Sequence, residues 1–120
     1  MIYTCYFSGL GSWAGSAVSV CLQQPPRFRL PVAEELCPPA GMMWKFMKGK
    51  MSEKKFSQLY SMRFGVIDPE EIAERYDGKV LTSWEGLNRD GTQKFSHRHL
   101  IAEWLRNNGF ECEELRNEKK

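Results

Sequence analysis

The most constraining stretch runs from Val80 to Gly109. It reads VLTSWE, then GLNRDGTQ, then KFSHRHLIAEWLRNNG. Val80 to Trp84 is short, rich in apolar and β-favouring residues, and bounded by Asp77-Gly78 and Gly86, which marks a strand. With no polar alternation, it suits a central strand covered on both faces. Ser96 is a good N-cap residue, and Asn108-Gly109 supplies a C-terminal stop, so the spacing predicts a helix between them. Phe110 to Leu115 (FECEEL) then reads as another strand. Strand, helix, strand implies a right-handed parallel crossover, which restricts the chain to an α/β fold.

Within the helix, Leu100, Ile101, Trp104 and Leu105 form an apolar stripe. His97 precedes Ile101 by four residues and Trp104 by seven, so it belongs at the top of the buried face. His99 aligns with Glu103 and Arg106 and is expected to face water. Arg98 sits in the first turn, where the helix dipole disfavours a cation. It therefore needs an anion opposite, and Glu85, at the strand's end, is the expected internal partner. Ser83 and Glu85 are two apart and share one face of that strand.

The pairing of Thr82-Ser83-Trp84-Glu85 with Phe95-Ser96-His97-Arg98-His99-Leu100 and Trp104-Leu105 resembles the domain-of-unknown-function family four-eight-eight. Members of that family show Leu-Cys-aromatic-Glu at the strand end and Cys-His-Arg at the helix start. The resemblance extends through Lys48-Gly49-Lys50-Met51-Ser52-Glu53, Tyr60, Asp68-Pro69 and Glu113-Glu114, over the whole chain. It implies a fold and a site more than a function. Both motif cysteines are serine here, so a thiol, metal or redox role is not carried over.

The remaining elements follow from composition and punctuation. Ile2 to Phe7 and Ala17 to Leu22 read as strands, joined by the glycine-containing loop Ser8 to Gly15. That loop is either a plain turn or a phosphate-binding loop; it lacks the full dinucleotide fingerprint and no clear helix follows it. Gln23 to Gly41 carries five prolines, which exclude a regular helix or central strand. It either walls a pocket at the sheet end or is a rigid surface connection. Met42 to Met47 is a short amphipathic segment whose methionines read as core filling. Ser52 caps a helix running to about Phe64, and Asp68-Pro69-Glu70-Glu71 opens a short one ending by Asp77-Gly78. Arg116 to Lys120 should fray.

These elements predict one domain over 1–120: a small, mostly parallel, four-stranded Rossmann-like α/β sheet with helices on both faces. A strand order near 2-1-3-4 is expected, with the topological switch between the first and third strands. Ligands of open α/β sheets bind outside the strand C-termini at such a switch. There Ser8 and Ser12 would meet Ser83, Ser96 and Arg98.

Three chemistries fit those residues. One is a crevice for a small anionic ligand, phosphate or nucleotide-like, with Arg98, Ser96, Ser83, Ser8 and Ser12 as donors. Another is catalysis, with His97 or Glu85 as general base and Ser96 or Ser83 as nucleophile. The last is structural: Glu85 pairs with Arg98, His97 is a core histidine, Ser96 is a cap, and the chain is a non-catalytic interaction domain with a decayed site. The crevice is the leading expectation, and no cofactor or metal is assigned.

Charge and cysteines bound the partners. The net charge of +2 gives no strong nucleic-acid signal. It is uneven: residues 1–64 carry eight Lys/Arg against three acids, and residues 65–120 carry nine against twelve. Cys5, Cys21, Cys37 and Cys112 have neither zinc spacing nor a disulfide framework, so four free thiols and a reducing, cytoplasmic setting are expected. No apolar run is long enough to span a bilayer. Nothing in the sequence fixes an oligomeric state.

Overall fold

The computed structural model describes residues 1–115; the expected fraying of Arg116 to Lys120 lies outside the described residues. Four strands form one parallel sheet: β1 (Ile2–Tyr6), β2 (Ala17–Ser19), β3 (Val80–Ser83) and β4 (Cys112–Glu114). Four α-helices accompany them: α1 (Ala40–Met47), α2 (Glu53–Ser61), α3 (Pro69–Arg75) and α4 (His97–Asn107). The chain is thus a small α/β fold with every strand pair parallel.

The strand order is β2-β3-β1-β4, not the expected 2-1-3-4. The reason lies in α4, which packs against both β1 and β3. A helix lying across two strands delivers the chain to the far side of the second, so β4 pairs with β1, with Ile2 opposite Cys112. The link from β1 to β2 runs one way along the sheet, while those from β2 to β3 and β3 to β4 run the other. Right-handed crossovers then send the two kinds of link to opposite faces. On one face, Ile2, Val18, Val20, Leu81 and Cys112 pack with Phe56, Tyr60, Ile72, Ile101 and Leu105 of α2, α3 and α4. On the other, Cys5, Ala17 and Val80 pack with Leu10, Ala14, Phe28 and Leu30. That second face carries the 3-10 helices Phe7–Gly9 and Gly11–Ser16 and the proline-rich segment. The ten-residue link from Tyr6 to Ala17 is too short for an α-helical crossover, so 3-10 turns serve.

The proline-rich segment protects an edge. The Ser19 N–H donates to the Pro31 carbonyl at 2.7 Å, and Ala33 N–H donates to the Ser19 carbonyl at 2.9 Å. This covers the open side of β2, which would otherwise present unpaired backbone groups. Gly9, in the first 3-10 turn, has a packing role: a Cβ there would lie 2.7 Å from Cζ of Tyr6.

Helix capping follows the sequence. The Ser52 and Asp68 side chains accept from the N–H groups of Lys55 and Glu70. At the end of α4, Gly109 N–H donates to the Arg106 carbonyl and Phe110 N–H to the Leu105 carbonyl. Gly109 has φ +88°, so the pair makes a Schellman close that a side chain there would strain. Trp104, expected in the core, is half-buried and stacks on Phe64 with centroids 4.5 Å apart. Val20, Leu81 and Ile101 are fully buried as expected. All four cysteines are free and buried, and burial raises the thiols of Cys5, Cys37 and Cys112 to about 11.

Candidate functional site

The switch between β1 and β3 survives the change of order, because these strands are neighbours whose connections leave to opposite faces. The crevice at their C-terminal ends holds the guanidinium of Arg98. It is fully buried, with 0% of its surface exposed. Nε donates to Glu114 Oε1 at 3.0 Å and Nη2 to Glu114 Oε2 at 2.8 Å, a bidentate fork. Nη1 donates to Ser83 Oγ at 2.9 Å and to the Glu85 backbone carbonyl at 2.5 Å. Nη2 donates again to Gln93 Oε1 at 2.9 Å. A guanidinium has five N–H donors, and all five are used. The Tyr6 ring lies 5.7 Å from Cζ, within cation–π range.

The expected Glu85–Arg98 ion pair is therefore corrected. Glu85 contributes its carbonyl, and the carboxylate partner is Glu114. Register explains this. Glu114 stands opposite Thr4 on β1, and Thr4 Oγ1 donates to Glu114 Oε1 at 2.7 Å. The short crossover thus returns the carboxylate to the helix start, sixteen residues after Arg98.

The two motif serines touch. Ser83 Oγ and Ser96 Oγ are 2.6 Å apart, and both residues are buried. Ser96 also caps α4, its Oγ accepting from Arg98 N–H at 3.5 Å. These are the positions at which the resembling family carries cysteine.

His97 is buried on the core side of α4, as its phase requires. Its Nε2 is 2.8 Å from the Val20 carbonyl. A carbonyl only accepts, so Nε2 carries the proton and Nδ1 holds the lone pair. Nδ1 is buried without a hydrogen-bond partner, as are Glu85 Oε1 and His99 Nε2. Burial holds the His97 pKa below the usual histidine value, with the Val20 carbonyl acting in the opposite direction. His99 departs from expectation: it is half-buried rather than water-facing. The loop after β3 folds back on itself, with Leu87 bridged to Gln93, and brings the Lys94 backbone against the His99 ring. Burial and then Arg98 lower the His99 pKa.

The crevice thus gathers Ser83, Ser96 and Arg98, with Glu85 at its rim. Ser8 and Ser12 are exposed on the turns after β1 and make no side-chain hydrogen bond to the cluster among the described residues. Neither serine hydroxyl is bonded to His97 or to the Glu85 carboxylate, so a nucleophile–base contact is absent among the described residues. No group of three His, Cys, Asp or Glu side chains able to hold a metal occurs among them. Glu114 and Gln93 are the participants that sequence reasoning missed. Glu114 left a signal: it shares a strand face with Cys112, two residues away, and an acid on an inward face needs a cation.

Beside this internally bonded cluster lies a second, more apolar concavity. Cys21, Leu22, Gln23, Pro38, Met43, Trp44 and Trp84 help line a cavity of about 600 Å³ past the ends of β2 and β3. The proline-rich segment thereby walls a pocket, one of its two expected roles. The Trp84 indole N–H donates to the Gln23 carbonyl at 2.8 Å, fixing one wall. Burial, reinforced by Glu85, raises the Cys21 thiol to about 12, so it contributes as an apolar group.

No family model matches the chain, and neither does any curated protein or solved structure, so the family resemblance rests on its motif residues.

Proposed function

We propose that this chain is a non-catalytic interaction domain in which the strand-end crevice is structural. The observation that carries this reading is the saturation of Arg98. An anion site needs free donors, and here the five N–H groups are used by Glu114, Ser83, Gln93 and the Glu85 carbonyl. A phosphate or nucleotide would have to displace Glu114 from a bidentate, buried pair. The first-turn N–H of Arg98 is likewise taken by the Ser96 hydroxyl. Catalysis by His97 is unsupported for a related reason: its one N–H is spent on Val20, and no hydroxyl faces its lone pair among the described residues.

The anionic-ligand crevice expected from the sequence gives the contrasting outcome of one experiment. A ligand that binds only the folded chain raises its melting temperature by mass action. Thermal melts in inorganic phosphate and in adenine nucleotides, at matched ionic strength, are expected to show no saturable rise. A saturable rise that is lost in Gln93→Ala or Ser83→Ala would overturn the interaction reading in favour of the anion crevice.

A further inference from the structure

We infer that the cavity beside α1 docks an acidic peptide segment carrying a bulky apolar side chain. This rests on the reading of the chain as an interaction domain and names the partner's chemistry. The first observation is a contiguous set of exposed apolar side chains. Leu22, Trp44, Met47 and Trp84 are all exposed, Trp44 by 53% and Met47 by 71%, and all four line the one cavity. Exposed apolar residues scattered singly need no explanation, but a contiguous set around a concavity does. Tryptophan and methionine are the side chains enriched in the core of protein interfaces. α1 itself has no buried residue, so its outer face is left without a partner in the fold.

Charge selects the partner. From Cys37 to Lys50 there is no acidic residue, while Lys45, Lys48 and Lys50 are present. All three lysines are exposed, and none makes an ion pair among the described residues. Lys48, the C-cap of α1, stands one turn beyond Trp44 and next in the chain to Met47, both of which line the cavity. An apolar centre on a helix whose only charged residues are lysines complements a segment whose apolar anchor is flanked by Asp or Glu. Shape then separates a peptide from a bilayer. Tryptophan and lysine together also suit an anionic membrane surface. A bilayer needs a protruding apolar face, however, whereas this surface is a hollow of about 600 Å³, large enough to seat one large side chain.

Random-peptide phage display on the immobilised chain tests this with no partner assumed. Selected sequences are expected to be enriched in Asp and Glu flanking Trp, Phe or Leu. The strongest resynthesised peptide should lose roughly tenfold or more in affinity for Ala40→Trp, which fills the cavity, as expected for loss of an anchor pocket. It should also bind more weakly to a Lys45→Glu/Lys48→Glu variant, and both variants should melt as the parent does. No enrichment over an unrelated immobilised protein, enrichment of basic or uncharged sequences, or binding indifferent to Ala40→Trp would overturn the proposal. So would two other outcomes abolished by Ala40→Trp: co-sedimentation with phosphatidylserine-containing vesicles, or self-association in sedimentation velocity. If phosphate leaves the melt unchanged but no acidic peptide is selected, only the partner assignment fails. If phosphate gives a saturable rise that Gln93→Ala or Ser83→Ala abolishes, the interaction reading fails instead.

Discussion

The two clusters at the strand ends occupy neighbouring ground and are built on opposite terms. At the start of α4, every donor of a buried cation is matched and the two serines satisfy each other. Beside α1, two tryptophans and a methionine stand in solvent around a hollow. Reactive residue types gather in the first region, where Arg98 and the two serines bond inward while Glu85 Oε1, His97 Nδ1 and His99 Nε2 are buried without a partner. The second contains almost nothing that sequence inspection would flag as chemistry, and it exposes apolar surface. A concentration of polar side chains is thus a poor guide to function until the hydrogen bonds have been counted.

The sharpest way to break this contrast is to remove Arg98. Arg98→Ala strands the Glu114 carboxylate, Ser83 and Gln93, and loss of one partner from a buried pair costs about 3–5 kcal/mol. Urea melts are expected to show a loss of that size; a loss under about 1 kcal/mol would mean that the cluster is not structural. Acid titration sharpens the same point through His97. Its folded pKa lies below the ordinary histidine value of 6.5, so the unfolded chain binds the proton first as pH falls. Stability should be complete above about pH 6.5 and decline below it towards the folded value, at up to about 1.4 kcal/mol per pH unit. His97→Gln should flatten that limb in pH-dependent melts. If the limb stays, another group owns it, and half-buried His99 is the next to test.

A smaller effect is expected at the cap. Ser96→Ala removes the hydroxyl that accepts from Arg98 N–H and pairs with Ser83, at a cost of about 1–2 kcal/mol. A double-mutant cycle with Ser83→Ala should return a measurable coupling, since the two hydroxyls share one hydrogen bond. Smallest of all should be Trp44→Ser, within about 0.5 kcal/mol, because the side chain packs little in the free chain. A loss of about 2 kcal/mol or more, on the order expected for a core aromatic, would show that the α1 surface belongs to the folding core and not to a partner.

The local part of this arrangement was legible in the sequence. The caps at Ser52, Asp68 and Ser96, the Gly109 stop and the inward phase of His97 and Ile101 depend on neighbours within a turn or two. The partner of Arg98 depends on register between β1 and β4, whose pairing residues are more than a hundred positions apart. Glu85 and Glu114 lie thirteen and sixteen residues from Arg98, so separation along the chain does not choose between them. Helical phase alone turns His99 toward water, whereas the loop from Gly86 to Lys94 returns to cover the first turn of α4. The strand order failed for a similar reason: propensity marks strands, but the span of α4 decides how many of them it crosses.

The central position of β1 has a consequence for the order of events during synthesis. Its two neighbours are residues 80–83 and 112–114, while Ala17–Ser19, the strand made next, is not beside it. As a ribosome makes this chain, β1 emerges before either neighbour and waits about eighty residues for the first of them. Until then Ile2, Cys5 and Phe7 are unsheltered, in a stretch whose first charged side chain is Arg27. The nascent chain therefore passes through an extended interval in which its central strand is available to chaperones or to other nascent chains. The β3–α4–β4 unit that ends this interval also carries Arg98 and Glu114, so sheltering β1 and seating the ion pair belong to one late step.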